Sequence, residues 1–321
     1  MTHFKSPHLI SRSEGIGGSD IGAILGLSPY RSAVDVWLEK VGRQGPHNDA
    51  VHLRYGQHLE PFVAQEYERV TGHKTYEHPE TLRHSEHPHL FAHVDRLISV
   101  DGEPVIDASG RLTAKTLLEC KTASAFTASS WGTEWTDEVP PAYLAQCVWY
   151  MELSGCEEAH LAVLLGNSDF RVYRVQQDRE LAAFLIDRAL RFWDEHVVKR
   201  VAPVPSSRKE VEQIYPAHAN GRELEADTEL LRKIGQLRRL QRIGKRIDER
   251  YAELTTAVTS MMGQAERVSC SGRTLATWRT SSPSSRLDVT RLRREQPDIV
   301  NRYTLQGSPS RRFTLVGDRD E

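Results

Sequence analysis

The chain has 321 residues and a formal net charge of −2, with 39% hydrophobic and 27% charged residues. These values are typical of a globular protein with one large domain or two. No apolar run approaches the roughly 20 residues that cross a bilayer, and the N-terminus lacks the apolar segment of a signal peptide, so we predict a cytoplasmic protein with no membrane contact.

The charge is unevenly distributed along the chain, and the four cysteines show no paired spacing. Residues 1–222 hold 23 Lys and Arg against 30 Asp and Glu, whereas residues 223–321 hold 19 against 14. A basic C-terminal part suits a polyanionic ligand, although basic helices are also often plain solvated surfaces. The cysteine spacing predicts reduced thiols and argues against an iron–sulfur centre.

The predicted elements begin with a helix after the glycine-rich segment 15–18. Ser19 is a suitable N-cap for it, and Ile21, Ile24 and Leu25 supply its apolar stripe. Further helices are predicted over 33–41 and over about 55–70, where Pro61 marks the first turn or a kink.

The central segment alternates between strand and helix patterns. Strands are predicted over 91–98, 105–106 and 116–121, then a helix over 141–153, strands over 160–165 and 170–175, and a helix over 178–199. This order predicts an α/β fold with a mixed sheet. We therefore predict a core over 1–202, a proline-containing linker over 203–222 and a separate part over 223–321.

The last part begins with one long helical pattern over 223–267. Its apolar residues recur at three- and four-residue steps, which indicates a helical arm or a coiled coil that packs on the core or on neighbouring subunits. The segment 232–246 holds seven basic residues and no acid, so one face could also contact phosphate. A hairpin over 267–280 and a short helix over 289–295 follow, in a tail rich in arginine.

The segment Glu119-Cys120-Lys121 carries the first chemical signal. Side chains two apart on a strand lie on one face, so Glu119 and Lys121 project together while Cys120 points into the packing on the other side. Asp95 stands at the end of an earlier apolar stretch of the sequence. Two carboxylates on neighbouring strands can share a divalent cation. Alone, the pattern also fits an exposed charge pair, but Leu117 and Leu118 indicate a central strand where an unpaired carboxylate is costly.

Four short blocks occur in one order: Arg12 with Gly-Ile-Gly-Gly-Ser-Asp at 15–20, Gly56 with Leu-Glu-Pro at 59–61, His-Val-Asp at 93–95 with 119–121, and Gln146 with Tyr150. Together they resemble the YqaJ-like viral recombinase, or lambda-exonuclease-like, family of the PD-(D/E)xK nuclease superfamily. The resemblance covers 12–150 and extends to about 175. It implies a restriction-endonuclease-like core, with the mixed central sheet flanked by helices.

Phosphodiester cleavage needs a cation, a positioned water and a stabiliser of the leaving group. Oxygen ligands suit Mg²⁺, for which Mn²⁺ is an alternative; Asp95 and Glu119 are the proposed ligands, with Glu60 completing the shell directly or through water. Lys121 would orient or deprotonate the water, or stabilise developing charge. The resemblance further implies a third oxygen from the Cys120 carbonyl and places Gln146 and Tyr150 over the active site.

Arg12 and Ser19 suggest the substrate. A glycine-rich turn before a helix frees backbone N–H groups for an anion, and arginine adds a bidentate fork. The spacing of Arg12 and Ser19 resembles the 5′-phosphate pocket of the family; the alternative is a plain serine cap after a loop.

The resemblance implies a Mg²⁺-dependent exonuclease that degrades double-stranded DNA 5′ to 3′ and leaves 3′ overhangs for a single-strand annealing protein. It also implies a homotrimer encoded by a phage or prophage in a bacterial host. Two rival functions stay open. A PD-(D/E)xK endonuclease of repair or restriction type would share Asp95, Glu119 and Lys121 but would not need Arg12 and Ser19. A non-catalytic DNA-binding recombination accessory protein is disfavoured because Glu60 and the other three residues are all present.

Two further features of the sequence each allow two interpretations. Six histidines lie between 73 and 93, where a polar loop is a better interpretation than a zinc site because the spacing is irregular. Trp131 and Trp135 could stack on DNA bases or anchor their loop.

Overall fold

The computed structural model describes residues 12–43, 51–78, 80–100, 102–109, 111–282, 284–307 and 310–316. The chain divides into two compact units, Met1–Ile214 and Tyr215–Glu321. Each unit is built around its own secondary structure.

The first unit is organised by a mixed five-stranded sheet with the order β1-β4-β5-β6-β7. Only β5 and β6 run parallel, whereas the other neighbours in this sheet are antiparallel. A small separate ladder joins β2 to β3. The strands are β1 (Lys74–Tyr76), β2 (Leu82–Arg83), β3 (Phe91–Ala92), β4 (Arg96–Ser99), β5 (Thr116–Ala123), β6 (Glu158–Leu165) and β7 (Asp169–Gln176).

The helices of the first unit are α1 (Gly18–Ile24), α2 (Ala33–Lys40), α3 (Val51–Thr71), α4 (Pro141–Ser154), α5 (Arg179–Phe192) and α6 (Arg208–Ile214). Helix α4 is the crossover between the parallel strands β5 and β6, as such a connection requires. It starts at Pro141, where a proline costs no hydrogen bond, and ends at Ser154. Its C-cap is Gly155, whose φ of 78° is the left-handed conformation that glycine adopts readily.

The alternation of side chains along β5 separates two apolar clusters. Leu117 packs in the larger cluster with α1, α2, α4 and α5, whereas Leu118 and Cys120 pack in a smaller cluster with Val63 and Tyr67 of α3. Glu119 and Lys121 therefore lie on the α4 side of the sheet, because they alternate with Leu118 and Cys120. Helix α4 is thus the element that covers the predicted site.

The predicted α/β fold with a mixed sheet is confirmed, while several boundaries differ. The predicted strand at 105–106 is wrong: Ile106 forms only an isolated bridge to Leu112, and β1 takes the place beside β4. The predicted helix over 178–199 ends its α-helical part at Phe192 and continues as a π-helical turn, Trp193–Val198.

The range predicted as a linker, 203–222, contains structure. Helix α6 lies within it, Ile214 is buried in the larger cluster, and Arg43 donates to the Ile214 carbonyl at 2.7 Å. The proline signal marks the start of this range but gives no information about the amphipathic helix that follows. The division into 1–202, 203–222 and 223–321 otherwise stays a prediction.

The second unit is led by α7 (Thr228–Met262), whose N-cap Asp227 accepts from the Leu230 N–H at 2.8 Å. The hairpin β8 (Arg267–Cys270) and β9 (Arg273–Thr277) and the short helices α8 (Val289–Glu295) and α9 (Pro297–Tyr303) follow. Among the described residues, no helix is both long and apolar enough to cross a membrane. Cys120, Cys147, Cys156 and Cys270 are free thiols.

Candidate active site

Asp95 and Glu119 meet where β4 and β5 are adjacent. Arg96 pairs with Leu118 in the antiparallel register. Asp95, which precedes Arg96, therefore faces Glu119, which follows Leu118. The Cys120 N–H donates to Asp95 Oδ2 at 2.8 Å, which fixes the Asp95 carboxylate against β5. The predicted pair of carboxylates is therefore brought together.

The Glu119 carboxylate is 2% exposed, and its two oxygens have different surroundings. Oε1 accepts from the Gln146 amide at 2.7 Å and from the Lys121 ammonium. Among the described residues, Oε2 is buried without an N–H or hydroxyl donor, and a protonated Asp95 is the group that can share a hydrogen bond with Glu119. A buried carboxylate oxygen without a donor is costly, and a cation is the kind of group that would relieve that cost. This oxygen therefore fits a divalent metal ligand.

The pKa values of Asp95 and Glu119 also indicate a site for a cation. Burial, with the neighbouring charge of Glu119, raises the pKa of Asp95 to about 7. Burial likewise raises the pKa of Glu119, although Lys121 opposes the shift. Two carboxylates are thus held together at an energetic cost in the metal-free protein, as in sites built to take a cation.

Lys121 is held as an ammonium by the carboxylates. Burial would lower its pKa, but the charges of Glu119 and Asp95 outweigh that effect and raise the pKa above its ordinary value. Its Nζ also lies 5.6 Å from the centre of the Tyr143 ring, within range of a cation–π contact. Lys121 is therefore placed as a charged donor beside Glu119.

Tyr143 is a site residue that the sequence interpretation missed. It stacks on Trp131 with ring centres 5.3 Å apart, and Trp131 in turn packs on Tyr173 at 5.3 Å. Trp131 is buried, which identifies it as an anchor of its loop, whereas Trp135 is about half exposed. Its spacing in the sequence could have identified it, because Tyr143 lies three residues before Gln146 and therefore on the same face of the helix.

Glu60 approaches the pair from α3. Its Oε1 accepts from Arg96 at 2.9 Å, and Arg96 also contacts Glu77. Burial and the charge of Asp95 raise the pKa of Glu60, although Arg96 opposes the shift. Arg96, which the sequence interpretation did not single out, therefore links Glu60 to the start of β4, next to Asp95.

Tyr150 is buried and connects α1 to the carboxylates. The Gln146 amide donates to the Tyr150 hydroxyl at 2.9 Å as well as to Glu119. The ring packs so closely on Gly18 that a Cβ added there would lie 2.3 Å from Cε1 of Tyr150. The start of α1, Tyr150, Gln146 and Glu119 thus form one contact chain.

The predicted cap of α1 is wrong. Gly17 is the N-cap, and Ser19 lies exposed inside the first turn. The buried Asp20 takes over the capping because its Oδ2 accepts from the Gly17 N–H at 3.1 Å while the same carboxylate binds Lys40 at 2.7 Å and Arg31 at 3.0 Å. The side chain of Arg12 lies outside the described residues, so its predicted role stays a prediction.

The histidines between 73 and 93 do not form a metal cluster. His73 contacts the Tyr67 hydroxyl, His93 contacts Thr81, and His89 stacks on Trp193. In the described ranges no three His, Cys, Asp or Glu side chains are grouped closely enough to hold a metal ion. A cation at Asp95 and Glu119 would therefore also need backbone oxygen or water ligands, which is how Mg²⁺ usually binds.

The mixed sheet carries an aspartate on the approach to β4 and a Glu-x-Lys segment on β5, as the sequence resemblance to PD-(D/E)xK nucleases implied. Residues 8–157 match the model of the YqaJ-like viral recombinase domain. The four sequence blocks, which span 12–150, lie within this match, so their resemblance to YqaJ-like recombinases is confirmed over that range.

Similar proteins include one relative along most of the chain. The uncharacterized protein YqaJ of Bacillus subtilis is 29% identical over 301 residues, which is 92% of this chain and 89% of YqaJ. An alkaline exonuclease from Laribacter hongkongensis is 16% identical, with a TM-score of 0.43 over 59% of this chain and 91% of that one. A phage-related exonuclease from Haemophilus somnus is 15% identical, with a TM-score of 0.42 over 60% of this chain and 97% of that one.

Proposed function

We propose that this protein is a metal-dependent deoxyribonuclease that degrades one strand of duplex DNA from its 5′ end. The observation that carries the proposal is the buried Glu119 beside Asp95 and Lys121, in the part of the chain that matches the YqaJ-like viral recombinase model. Its Oε2 has no N–H or hydroxyl donor among the described residues. A buried cluster of two carboxylates with one ammonium is costly to maintain unless it serves binding or chemistry.

Asp95 and Glu119 would hold Mg²⁺, or Mn²⁺ in its place, with the Cys120 carbonyl as a third oxygen. The cation would neutralise charge on the attacked phosphate and lower the pKa of a bound water. Glu60 is engaged by Arg96 at 2.9 Å, so we assign it to the metal shell through water rather than by direct contact.

Before a cation binds, Lys121 carries its charge beside Glu119, because the carboxylates raise its pKa. In that state it can orient the attacking water or stabilise charge on the leaving oxygen. Gln146 fixes Glu119 through its amide and keeps Oε2 free for a ligand. The Tyr143 ring, 5.6 Å from the Lys121 Nζ, would help to hold the ammonium in place by a cation–π contact.

Arg12 and Ser19 would bind the 5′-phosphate. The contact chain from Gly18 through Tyr150 and Gln146 to Glu119 supports this assignment, because it ties the start of α1 to the carboxylates. A phosphate bound there would set the distance between the DNA end and the attacked bond. With Tyr150 buried, we assign it to this support, and its contact with DNA would be at most indirect.

The product would be a 3′ overhang, used by a single-strand annealing protein during phage-type recombination in the cytoplasm of a bacterial host. A homotrimer that encloses the duplex would keep the enzyme on one strand. Both assignments follow from the likeness to lambda-type exonucleases and are part of the proposal.

The test is a cleavage assay with Mg²⁺ on three DNA substrates: linear duplexes with 5′-phosphate or 5′-hydroxyl ends, and a closed circle. Labels at either end report polarity. We expect mononucleotides from the 5′-phosphorylated strand, slower attack on the hydroxyl end and an intact circle. Cutting of the circle would favour the endonuclease and refute the exonuclease.

Arg12→Ala should remove the preference for 5′-phosphate, and Arg12→Lys should restore part of it because lysine keeps the charge but lacks the bidentate fork. A wild-type protein without this preference would refute the phosphate pocket while leaving the metal centre intact. Binding of DNA without any cleavage would instead support the accessory role.

A further inference from the structure

Helix α7 exposes an apolar stripe along most of its length. From 237 to 261 the stripe alternates strictly between three- and four-residue steps, with Gly244 at one of its eight positions. The other seven side chains are each between 43 and 88% exposed: Leu237, Leu240, Ile247, Tyr251, Leu254, Val258 and Met261. An apolar surface of this extent marks an interaction site.

The step pattern is that of a coiled-coil seam. Alternating steps of three and four residues keep side chains on one line of a helix, and a straight helical partner buries that line. The 35 residues of α7 correspond to a rod of about 52 Å. Most of the stability of such a helix in water comes from packing its apolar face.

The charge on α7 is divided between its two halves. The segment 232–246 holds seven basic residues and no acid, whereas 247–262 holds Asp248, Glu249 and Glu253 against Arg250 alone. A parallel pair of such helices would align the seven cations of one with the seven of the other. An antiparallel pair aligns each basic half with an acidic half, so the charges favour a second copy of α7 in the opposite direction.

We propose that α7 pairs with α7 of a second copy of this chain as an antiparallel coiled coil. In the register of full overlap, Leu237 of one copy lies opposite Leu254 of the other and Leu240 lies opposite Tyr251. Gly244 then lies opposite Ile247 next to the twofold axis, where the missing side chain leaves room for Ile247 and Tyr251. Every described seam position from 237 to 254 thus has a partner in this register.

The twofold axis has a consequence for assembly. A cyclic trimer contains no twofold axis, so an α7 pair would join chains of two rings and would not link neighbours within one ring. The number of chains in the particle is then even, whether the first unit forms rings or not.

The seam is tested by light scattering on the full chain with Leu240→Glu and the matched control Leu231→Glu. These leucines have similar exposure, 62 and 59%, but Leu231 lies outside the seam. We expect Leu240→Glu to halve the particle mass and Leu231→Glu to leave it unchanged. Leu240→Ala, which keeps the helix propensity high, should weaken the association in the same direction.

A monomeric wild-type protein would overturn the proposal, since α7 would then be covered by its own chain or by a different protein. An unchanged mass for Leu240→Glu, or an equal loss for Leu231→Glu, would also overturn it.

Cysteine cross-linking tests the direction of the helices. In a Cys270→Ser background, which removes the exposed thiol of the hairpin, chains with Leu237→Cys are mixed with chains with Leu254→Cys. The antiparallel pair gives a disulfide between the two kinds of chain. Cross-linking of Leu237→Cys chains with each other would show a parallel pair and overturn the proposed direction.

Discussion

Gly18→Ala tests the contact chain that joins α1 to the carboxylates. The new Cβ would lie 2.3 Å from Cε1 of Tyr150 and 2.9 Å from Cδ1 and Cζ, whereas ordinary contacts begin near 3.4 Å. The Tyr150 ring therefore has to retreat by about 1.1 Å. It is buried, and its hydroxyl accepts from Gln146, so this movement pulls on the residue that fixes Glu119.

Two magnitudes follow from this displacement. Overpacking of a buried site costs about 1–3 kcal/mol, so we expect the free energy of unfolding to fall by that amount. A misplacement of roughly 1 Å in a catalytic group can cost about 100-fold in rate, and we expect a loss of that order in DNA cleavage. Urea unfolding measures the first effect, and single-turnover cleavage of a linear duplex measures the second.

Gly235→Ala is the matched control. A Cβ at Gly235 would meet no atom of the described residues within 4 Å, and the residue lies inside α7. Replacing an exposed helical glycine by alanine should stabilise by about 1 kcal/mol and leave cleavage unchanged. Wild-type stability and rate for Gly18→Ala would refute the contact chain. An additive double change with Tyr150→Ala would do the same, because residues in contact should couple.

Three more predictions concern charge and metal. Lys40→Met breaks the buried ion pair with Asp20 and should lower the free energy of unfolding by about 3 kcal/mol. This is the low end for a broken buried pair, because Arg31 still binds Asp20. In the same urea titration the exposed control Lys115→Met should cost under about 1 kcal/mol. In the metal-free protein the contribution of Asp95 to stability should fall as the pH rises from 4 to 7, because the folded state keeps a proton on Asp95 that the unfolded chain has released. Asp95→Asn should therefore stabilise more at pH 8 than at pH 4, and an equal gain at both would contradict this. EDTA should abolish cleavage, and Ca²⁺ should support DNA binding without turnover; full activity in EDTA would exclude the metal mechanism.

Sequence periodicity was sufficient for β5 and α4. The two-residue period of a strand predicted that Glu119 and Lys121 share one face of β5 while Cys120 points to the other, and the helix predicted over 141–153 differs from α4 by one residue at its end. Both signals are local, since they depend on repeats within one element. Short elements had no such repeat: β1 has three residues and gains its place only by pairing with β4.

Contacts between distant residues could not be predicted in this way. Ser19 is a better N-cap than Gly17 by residue type, but the Asp20 carboxylate reaches the Gly17 N–H because Lys40 and Arg31 hold it there. The stack of Tyr143, Trp131 and Tyr173 likewise combines three separate elements. Such arrangements depend on tertiary packing, which overrides local preference.

The central claim is that Lys121 acts in a metal-dependent cleavage centre with Asp95 and Glu119. The most direct measurement is single-turnover cleavage of a 5′-phosphorylated duplex in Mg²⁺ by Lys121→Ala and by the control Lys115→Ala, with DNA binding in Ca²⁺ measured for both. Removal of a charged donor from such a centre should cost at least roughly 100-fold in rate. We predict that loss for Lys121→Ala alone, with DNA binding retained by both variants; near-normal cleavage by Lys121→Ala would contradict the assignment of the centre.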